Sequence, residues 1–531
     1  MNCLLNELVK NPAVESLLRK ESSLGNLSLT EEALLYAALY RQSRQSLLIV
    51  KNNVYTAQKL IERLIPLVDV EVLPFVVEES LRVEAIASSP ESKAVQLETM
   101  NAMLEGKAKI VVAHTGALMR FMPSPELFKA VSMELKVDDE ISMDTLKMKL
   151  FMAGYEHVSR VDQPLCFASR GGIVDVYSMN EDYPIRIEFF DTVIESIRCF
   201  DPATQRTIEK RDHVKIIPAT DLLFTDEDIS TIIEKGNVLK KKAQRQAEAA
   251  KQRQFDIFIE NDFDALSNHQ RENHLYRYYA LLDQHSSLLD YAKDACIILS
   301  TDEEIHEVEK KVNEETIDYI QELNATGQGL PVYTQFNSID KLTAGRDCIH
   351  VNLFVNMEQP IISGFLQLPR PELSLDKCLD MAVKESKKKS VLFCLDHSEI
   401  GIVKKYFNDH EIRYQMIDEN DKIPEGISLC VKKLAEGFEL TEEKIVVYSS
   451  KEIFHEQKKL GRYTNKFKQG EVLDDYLQLE KGDYVVHNQH GVGMYNGIVT
   501  KEIEGHHKDF LQVIYKDNDV LFIPSDSKIC F

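Results

Sequence analysis

Between residues 25 and 125, short apolar runs alternate with segments whose apolar residues recur at helical spacing. Leu47–Val50 is a continuous apolar run of strand length and reads as a buried strand. Helices are predicted over Glu31–Tyr40 before it and Thr56–Leu67 after it. A strand at Val70–Pro74, a helix around Ser92–Leu104 and a strand at Ile110–Ala113 follow. Strands alternating with helices imply parallel pairing in an α/β layer. Residues 1–24 read as a helical lead-in to this first domain, which is placed at 1–125.

The pattern then changes. Residues 126–215 carry short strands and tight turns after a helix near Met143–Ala153. Residues 216–349 hold a long polar helical segment, 226–290, and a strand at Cys296–Leu299 that returns to the first layer. A second small α/β domain is expected at 350–456, with strands at Val391–Cys394 and Ile445–Tyr448. Residues 457–478 are polar and charged, as a linker would be. Residues 479–531 hold β-branched and aromatic runs punctuated by Gly, Asn and Asp, the pattern of a small all-β module, for which a closed barrel is the economical solution.

Composition narrows the function. The 531 residues, 44% hydrophobic and 28% charged, suit several globular domains. A net charge of −23 makes the chain a poor candidate for gripping duplex DNA and points to protein partners. The nine cysteines are scattered with no Cys-x-x-Cys pair, so reduced thiols in a cytoplasmic protein are expected rather than a zinc site or a disulfide framework. No apolar run approaches the length of a membrane span.

Candidate chemistry is weak. Gly25-Asn26-Leu27-Ser28-Leu29-Thr30-Glu31-Glu32 occupies the place of a phosphate-binding loop, but only Gly25 fits. Glu31 stands where a Lys should meet phosphate, and Glu32 where a Ser or Thr should hold magnesium. A helix start capped at Thr30 is expected instead. Asp302-Glu303 lies two residues too far from its strand for a magnesium motif, and a helix start at Ser300 or Thr301 is expected. His487-x-x-His490 lacks matching ligands, so no metal and no catalytic residue are expected. The basic run Lys240, Lys241, Lys242, Arg245, Lys251 and Arg253 reads as a solvated helix face.

Two stretches suggest interaction surfaces. In Pro184–Asp191 the period of two puts Ile185, Ile187 and Phe189 on a core side, and Arg186, Glu188 and Phe190 on the other. An outward Phe beside Arg has the composition of an interface hot spot. The alternative is that Phe190 packs under a loop while the arginines pair with Asp175 or Glu188. Arg170, just before Gly171-Gly172, is expected alongside Arg186 by strand adjacency. In the terminal module Gly497–Ile503 alternates and is expected next to Val520–Pro524, offering an edge for strand addition.

Both stretches carry a resemblance. Phe167-Ala168-Ser169-Arg170-Gly171-Gly172-Ile173-Val174-Asp175-Val176, with Pro184–Asp191, resembles the module that UvrB and Mfd share for docking on UvrA. Gly482-Asp483-Tyr484-Val485-Val486-His487, with His490-Gly491-Val492-Gly493, is similar to the polymerase-interacting module of Mfd and CarD-type proteins. The order fits the N-terminal half of the transcription-repair coupling factor family. This implies a degenerate UvrB-like, helicase-related α/β layer with an inserted UvrA-binding module, then a second small α/β domain and an SH3/Tudor-like barrel. It implies UvrA contact through Arg170, Arg186 and Phe190, and contact with the RNA polymerase β subunit near Val499, Lys501 and Phe522. No cofactor is implied for this chain: ATP, Mg and most DNA contact would belong to a motor beyond it. The alternatives are a UvrB-like excision-repair ATPase subunit and a CarD-type transcription regulator.

Overall fold

The computed structural model describes residues 1–454 except 22–23, 26, 78–79, 83–89, 246, 353–362 and 369–373. Beyond these it describes 484–487, 491–503, 506–514 and 520–524. The expected linker, 457–478, lies outside the described residues. The chain divides into two compact units, Met1–Tyr463 and Thr464–Phe531. Among the described residues no helix is long and apolar enough to cross a membrane.

The first unit opens with helices Asn2–Glu7, Pro12–Leu18 and Leu29–Ser43. Strands β1 (Leu47–Lys51), β2 (Val72–Phe75) and β3 (Ile110–His114) follow, separated by helices Val54–Leu64 and Pro90–Leu104. All three strands are buried along their length, as expected of parallel strands covered on both faces.

The chain then builds the region 133–216: β4 (Met133–Lys136), β5 (Glu156–His157), β6 (Cys166–Arg170), β7 (Ile173–Val176), β8 (Ile185–Phe190), β9 (Val193–Phe200), β10 (Thr207–Arg211) and β11 (His213–Ile216). Strands β5 to β10 form one sheet in sequential order, and β4 pairs with β11. One sheet face buries Phe167, Val174, Val176, Ile185, Ile187, Ile194 and Ile197 against Leu146 and Leu150 of the Met143–Met152 helix. The other face carries the polar half of the alternation.

A helical pair, Asp226–Arg245 and Ala249–Ser267, leads back to β12 (Cys296–Ser300) and β13 (Cys348–Val351). These complete a five-stranded sheet in the order β13-β12-β1-β3-β2, parallel throughout. The strand at Cys348–Val351 crosses residue 350, so it places the end of this sheet beyond the expected boundary. Lys240 is buried and ion-paired with Glu260 and Asp256, so the basic run is not a uniformly solvated face. The reason is the helical hairpin itself: Lys240 points at the neighbouring helix.

A second α/β layer holds β14 (Phe365–Gln367), β15 (Ser390–Leu395), β16 (Gln415–Met416), β17 (Ile427–Val431), β18 (Phe438–Leu440) and β19 (Ile445–Tyr448). Their order is β14-β18-β19-β15-β17-β16. Leu392, Cys394 and Cys430 join Leu4, Leu5 and Tyr36 in one apolar core, so the N-terminal helices are packed between the two layers.

The second unit, described by itself, is an antiparallel sheet of β20 (Tyr484–His487), β21 (Gly491–Ile503), β22 (His506–Ile514) and β23 (Val520–Pro524), in that order. The Gly497–Ile503 stretch pairs with β22, not with Val520–Pro524 as the alternation suggested. Two residues separate β21 from β22, and so short a connection favours local hairpin pairing over a partner further along the chain.

Candidate functional site

The degenerate loop comes first. Gly25 is buried and bridges Asn352, just past β13. The following helix is capped by Ser28, not Thr30: Glu31 N donates to Ser28 Oγ at 3.2 Å, and Ser28 N donates to a Glu31 carboxylate oxygen at 3.3 Å. This reciprocal box uses the Ser-x-x-Glu spacing, which Thr30 cannot satisfy. Thr30 instead donates to Glu436 of the second layer and accepts from Arg63 Nε at 3.1 Å. Glu31 also accepts from Ser363, and burial raises its carboxyl above the usual range. Glu32 is buried against Lys51 at the end of β1. Lys51 Nζ lies 2.9 Å from both Glu32 carboxylate oxygens and 2.7 Å from Ser300 Oγ at the end of β12. The C-terminal ends of parallel strands are where α/β sheets hold ligands. Here that position is occupied by an internal ion pair.

Asp302 opens a helix, Asp302–Thr326, from Thr301, as the spacing indicated; Thr301 is left-handed (φ 63°) and its side chain makes no cap. Among the described residues no group of His, Cys, Asp and Glu could hold a metal ion.

The outward face of the β5–β10 sheet is an ordered array of charge. Arg186 makes a bidentate pair with Asp175 directly across on β7, with Nε–Oδ1 and Nη2–Oδ2 both 2.7 Å. Its Nη2 also donates to Gln205 Oε1 at 2.9 Å, and its guanidinium lies 4.4 Å from the centre of the Phe200 ring. The side chain is 19% exposed. Asp175, through hydrogen bond and charge, keeps Arg186 above its ordinary pKa. Glu188 is held by Arg198 and, at 2.6 Å, by Ser196 Oγ on β9. The pairing of arginines with Asp175 and Glu188 is therefore real, although Glu188 takes Arg198 rather than Arg186.

Phe190 does not pack under a loop. It is 75% exposed, the most exposed of the large hydrophobic side chains among the described residues. It sits at the end of β8 opposite Val193, with Asp191 (φ 56°) turning the hairpin. Arg170 is exposed on β6 opposite Ile173. It shares the outward face with Arg186, but β7 lies between their strands, so the two are not neighbours. Among the described residues neither Arg170 nor the exposed Lys210 on β10 has an ion partner, and the exposed Glu156 of β5, in register with Cys166, lies on the same face.

The module is tied down at its exit. Arg120 Nη2 meets Asp221 at 3.0 Å, with Lys93 Nζ at 2.6 Å and Gln96 Nε2 at 2.8 Å on the same carboxylate. Burial pushes the Asp221 carboxyl up, but Arg120 and Lys93 outweigh it and hold it well below the usual range. The sequence reading missed both this cluster and the Lys51–Glu32 pair. Each joins residues far apart in the chain, and no local spacing signals them.

In the second unit Val499 lies opposite Phe510, and Lys501 opposite Lys508. Phe522 lies opposite Gln512 on β23, two strands away from Val499. Among the described residues β20 pairs only with Gly491–Met494, so the rest of β21 is paired on one side.

Residues 133–222 match the family described as UvrB interaction domain, and residues 479–528 match the CarD-like/TRCF RID domain. A transcription-repair-coupling factor of Bacillus subtilis (strain 168) is 31% identical over 520 residues, 95% of this chain and 44% of that protein. Those of Staphylococcus haemolyticus (strain JCSC1435) and Staphylococcus aureus (strain MRSA252) are 28% and 29% identical over 519 residues, 94% of this chain. The chain thus spans 44% of the length of these relatives. With both domains in one polypeptide and in this order, the chain is similar to transcription-repair-coupling factors over nearly all of its own length.

Proposed function

We propose that this chain is the non-catalytic, partner-binding part of a transcription-repair coupling factor. It binds UvrA through the outward face of the β5–β10 sheet and RNA polymerase through the terminal module. The ATP-driven translocation belongs to a motor outside these residues. The observation that carries the reading is Phe190. An exposed aromatic on a hairpin tip, beside a face whose Arg170 and Lys210 have no ion partner among the described residues, has no packing role and suits a protein interface.

Arg170 and Phe190 contact UvrA directly. Arg186 holds the face in shape through Asp175 and Gln205, and offers the partner what remains of its guanidinium. In the terminal module, the one-sided stretch of β21 containing Val499 and Lys501 pairs with a strand of the polymerase β subunit. Phe522, on β23, belongs to a different strand and supports this sheet from the far side of β22. Closure of the sheet into an SH3/Tudor-like barrel is part of the same proposal. The domain scheme is kept as expected, with the first α/β layer extended through Val351.

The Lys51–Glu32 pair favours this reading over a UvrB-like ATPase, because a nucleotide phosphate would face carboxylates and lose its lysine. Two interaction modules in one chain favour it over a stand-alone CarD-type regulator. The test is calorimetric titration of the chain with purified UvrA. Phe190→Ala is expected to weaken binding about tenfold with the melting curve unchanged; unchanged affinity contradicts the assignment.

A further inference from the structure

The helical pair Asp226–Arg245 and Ala249–Ser267 meets in a turn that concentrates positive charge on an acidic chain. Residues 241–253 hold Lys241, Lys242, Arg245, Lys251 and Arg253 against one carboxylate, Glu248, whereas the whole chain carries −23. Lys240, just below the turn, is buried and pairs with Asp256 and Glu260, so those two carboxylates are already taken. Lys251 is half-buried, with its Nζ 5.6 Å from the centre of the Phe255 ring. Lys241, Lys242, Arg245 and Arg253 are exposed, and among the described residues none of the four has an ion partner.

The seam between the two helices decides where these cations lie. Gln244 Nε2 donates to Gln252 O at 3.1 Å and to Asp256 Oδ1 at 2.8 Å, and Gln252 Nε2 donates back to Gln244 O at 3.0 Å. Lys240, Gln244 and Gln252 thus face the neighbouring helix. In an antiparallel pair of right-handed helices, the residue after each seam position turns by about 100° toward the same side. Lys241 and Arg245 on one helix and Arg253 on the other therefore share one side of the hairpin, with Lys242 at its outer edge. The mount is firm. A Cβ at Gly327, just past the Asp302–Thr326 helix, would lie 2.8 Å from Gln254 Cβ and 3.0 Å from Lys251 O, so that helix end is pressed against the hairpin near its turn. Glu322, the last carboxylate of that helix, is held by Arg82.

What this surface can hold follows from what it lacks. No aromatic residue lies between Gly236 and Gln254. The exposed apolar residues Val238 and Ile257 sit roughly 10 Å or more back from the turn, at about 1.5 Å per residue. A protein interface would want an aromatic or apolar anchor among the cations, as Phe190 provides on the sheet face. Unpaired bases would want rings to stack on. A duplex phosphate backbone needs neither, and offers regularly spaced negative charge to Lys and Arg. We propose that the turn of this helical hairpin is a phosphate-binding contact for duplex DNA, distinct from the sheet face and from the terminal module. The acidity of the rest of the chain repels a duplex, which confines the contact to this turn and keeps it weak and independent of sequence.

The experiment is fluorescence anisotropy of a labelled duplex of about 20 base pairs, titrated with the full chain between 50 and 200 mM salt. The test variant is Lys241→Gln/Arg245→Gln/Arg253→Gln. The control is Lys310→Gln/Lys311→Gln, on the Asp302–Thr326 helix. All five positions are exposed, and circular dichroism melts check the fold of each variant. The parent is expected to bind at about 10–100 μM at the lowest salt, with log K falling against log salt at a slope of about −3 to −4. The triple variant should lose about tenfold or more in affinity and flatten the slope to about −1, while the control stays within about twofold of the parent. No binding by the parent, a triple variant that binds as the parent does, or a control that loses as much would overturn the proposal. A single strand of the same length and poly-glutamate are titrated alongside. Tighter binding of either than of the duplex would also overturn it, by pointing to unpaired bases or to an acidic protein.

Discussion

Lys51 donates to both carboxylate oxygens of Glu32 at 2.9 Å, and the pair fills the place at the strand ends where a related fold would hold a nucleotide. The account therefore expects no heat on titration with millimolar ATP and no phosphate release with or without DNA. Glu32→Ala should destabilise the chain by about 3–5 kcal/mol, because it strands a buried lysine, and should not create ATP binding. Micromolar ATP affinity in the parent chain, or turnover lost in Glu31→Ala, would contradict this.

Arg186 and Phe190 should respond differently to truncation. Phe190→Ala removes an exposed side chain, so UvrA affinity should fall about tenfold while stability holds within about 0.5 kcal/mol. Arg186→Ala also leaves Asp175 without its bidentate partner, so both affinity and melting temperature should fall. Arg186→Lys keeps the charge but loses the fork, and should recover stability only in part. Equal melting temperatures for Arg186→Ala and the parent would show that the Asp175 pair is not structural.

Much of this architecture is written in local pattern. Leu47–Val50 is a parallel strand because nothing polar interrupts it, and Ile185, Ile187 and Phe189 face inward because a strand alternates. What local pattern lacks is the identity of the neighbour. The neighbour of β6 is β7, so Arg170 is separated from Arg186. The neighbour of Gly497–Ile503 is β22, so Phe522 does not share its edge. Lys51 reads as a strand end, and only the register with Cys296–Ser300 brings it to Ser300. Ser28-x-x-Glu31 has the spacing of a capping box, whereas Thr30, directly before the two glutamates, only has the residue type of a cap.

Acid should loosen the region where the interaction module rejoins the first layer. The folded-state pKa of Asp221 lies below its unfolded value, because Arg120 and Lys93 favour the carboxylate. A depressed carboxyl contributes stability that is complete above the ordinary Asp range, near pH 4, and is lost as pH falls through the folded value. Urea melts at pH 7, 4 and 3 should show this decline for the parent chain. Asp221→Asn should be destabilised at pH 7 by about 3–5 kcal/mol, since the buried Arg120 and the half-buried Lys93 lose the carboxylate charge they share, and should decline less steeply with acid. A parallel decline would show that other carboxylates set the acid limb.

The terminal module should be sensitive to its backbone more than to its side chains. Val499→Pro removes a backbone donor from the one-sided stretch of β21 and should abolish polymerase binding if circular dichroism shows the sheet intact. Lys501→Glu should weaken binding with a marked dependence on salt. Polymerase binding that persists in a chain lacking 479–531 would move the contact elsewhere.

The central claim is that one chain holds UvrA and RNA polymerase at the same time. Mass photometry of the chain mixed with both partners measures this directly. The account predicts a three-component species, from which Phe190→Ala removes only UvrA and Val499→Pro removes only polymerase. Mutually exclusive binding, or loss of both partners from either substitution with the fold intact, would contradict it.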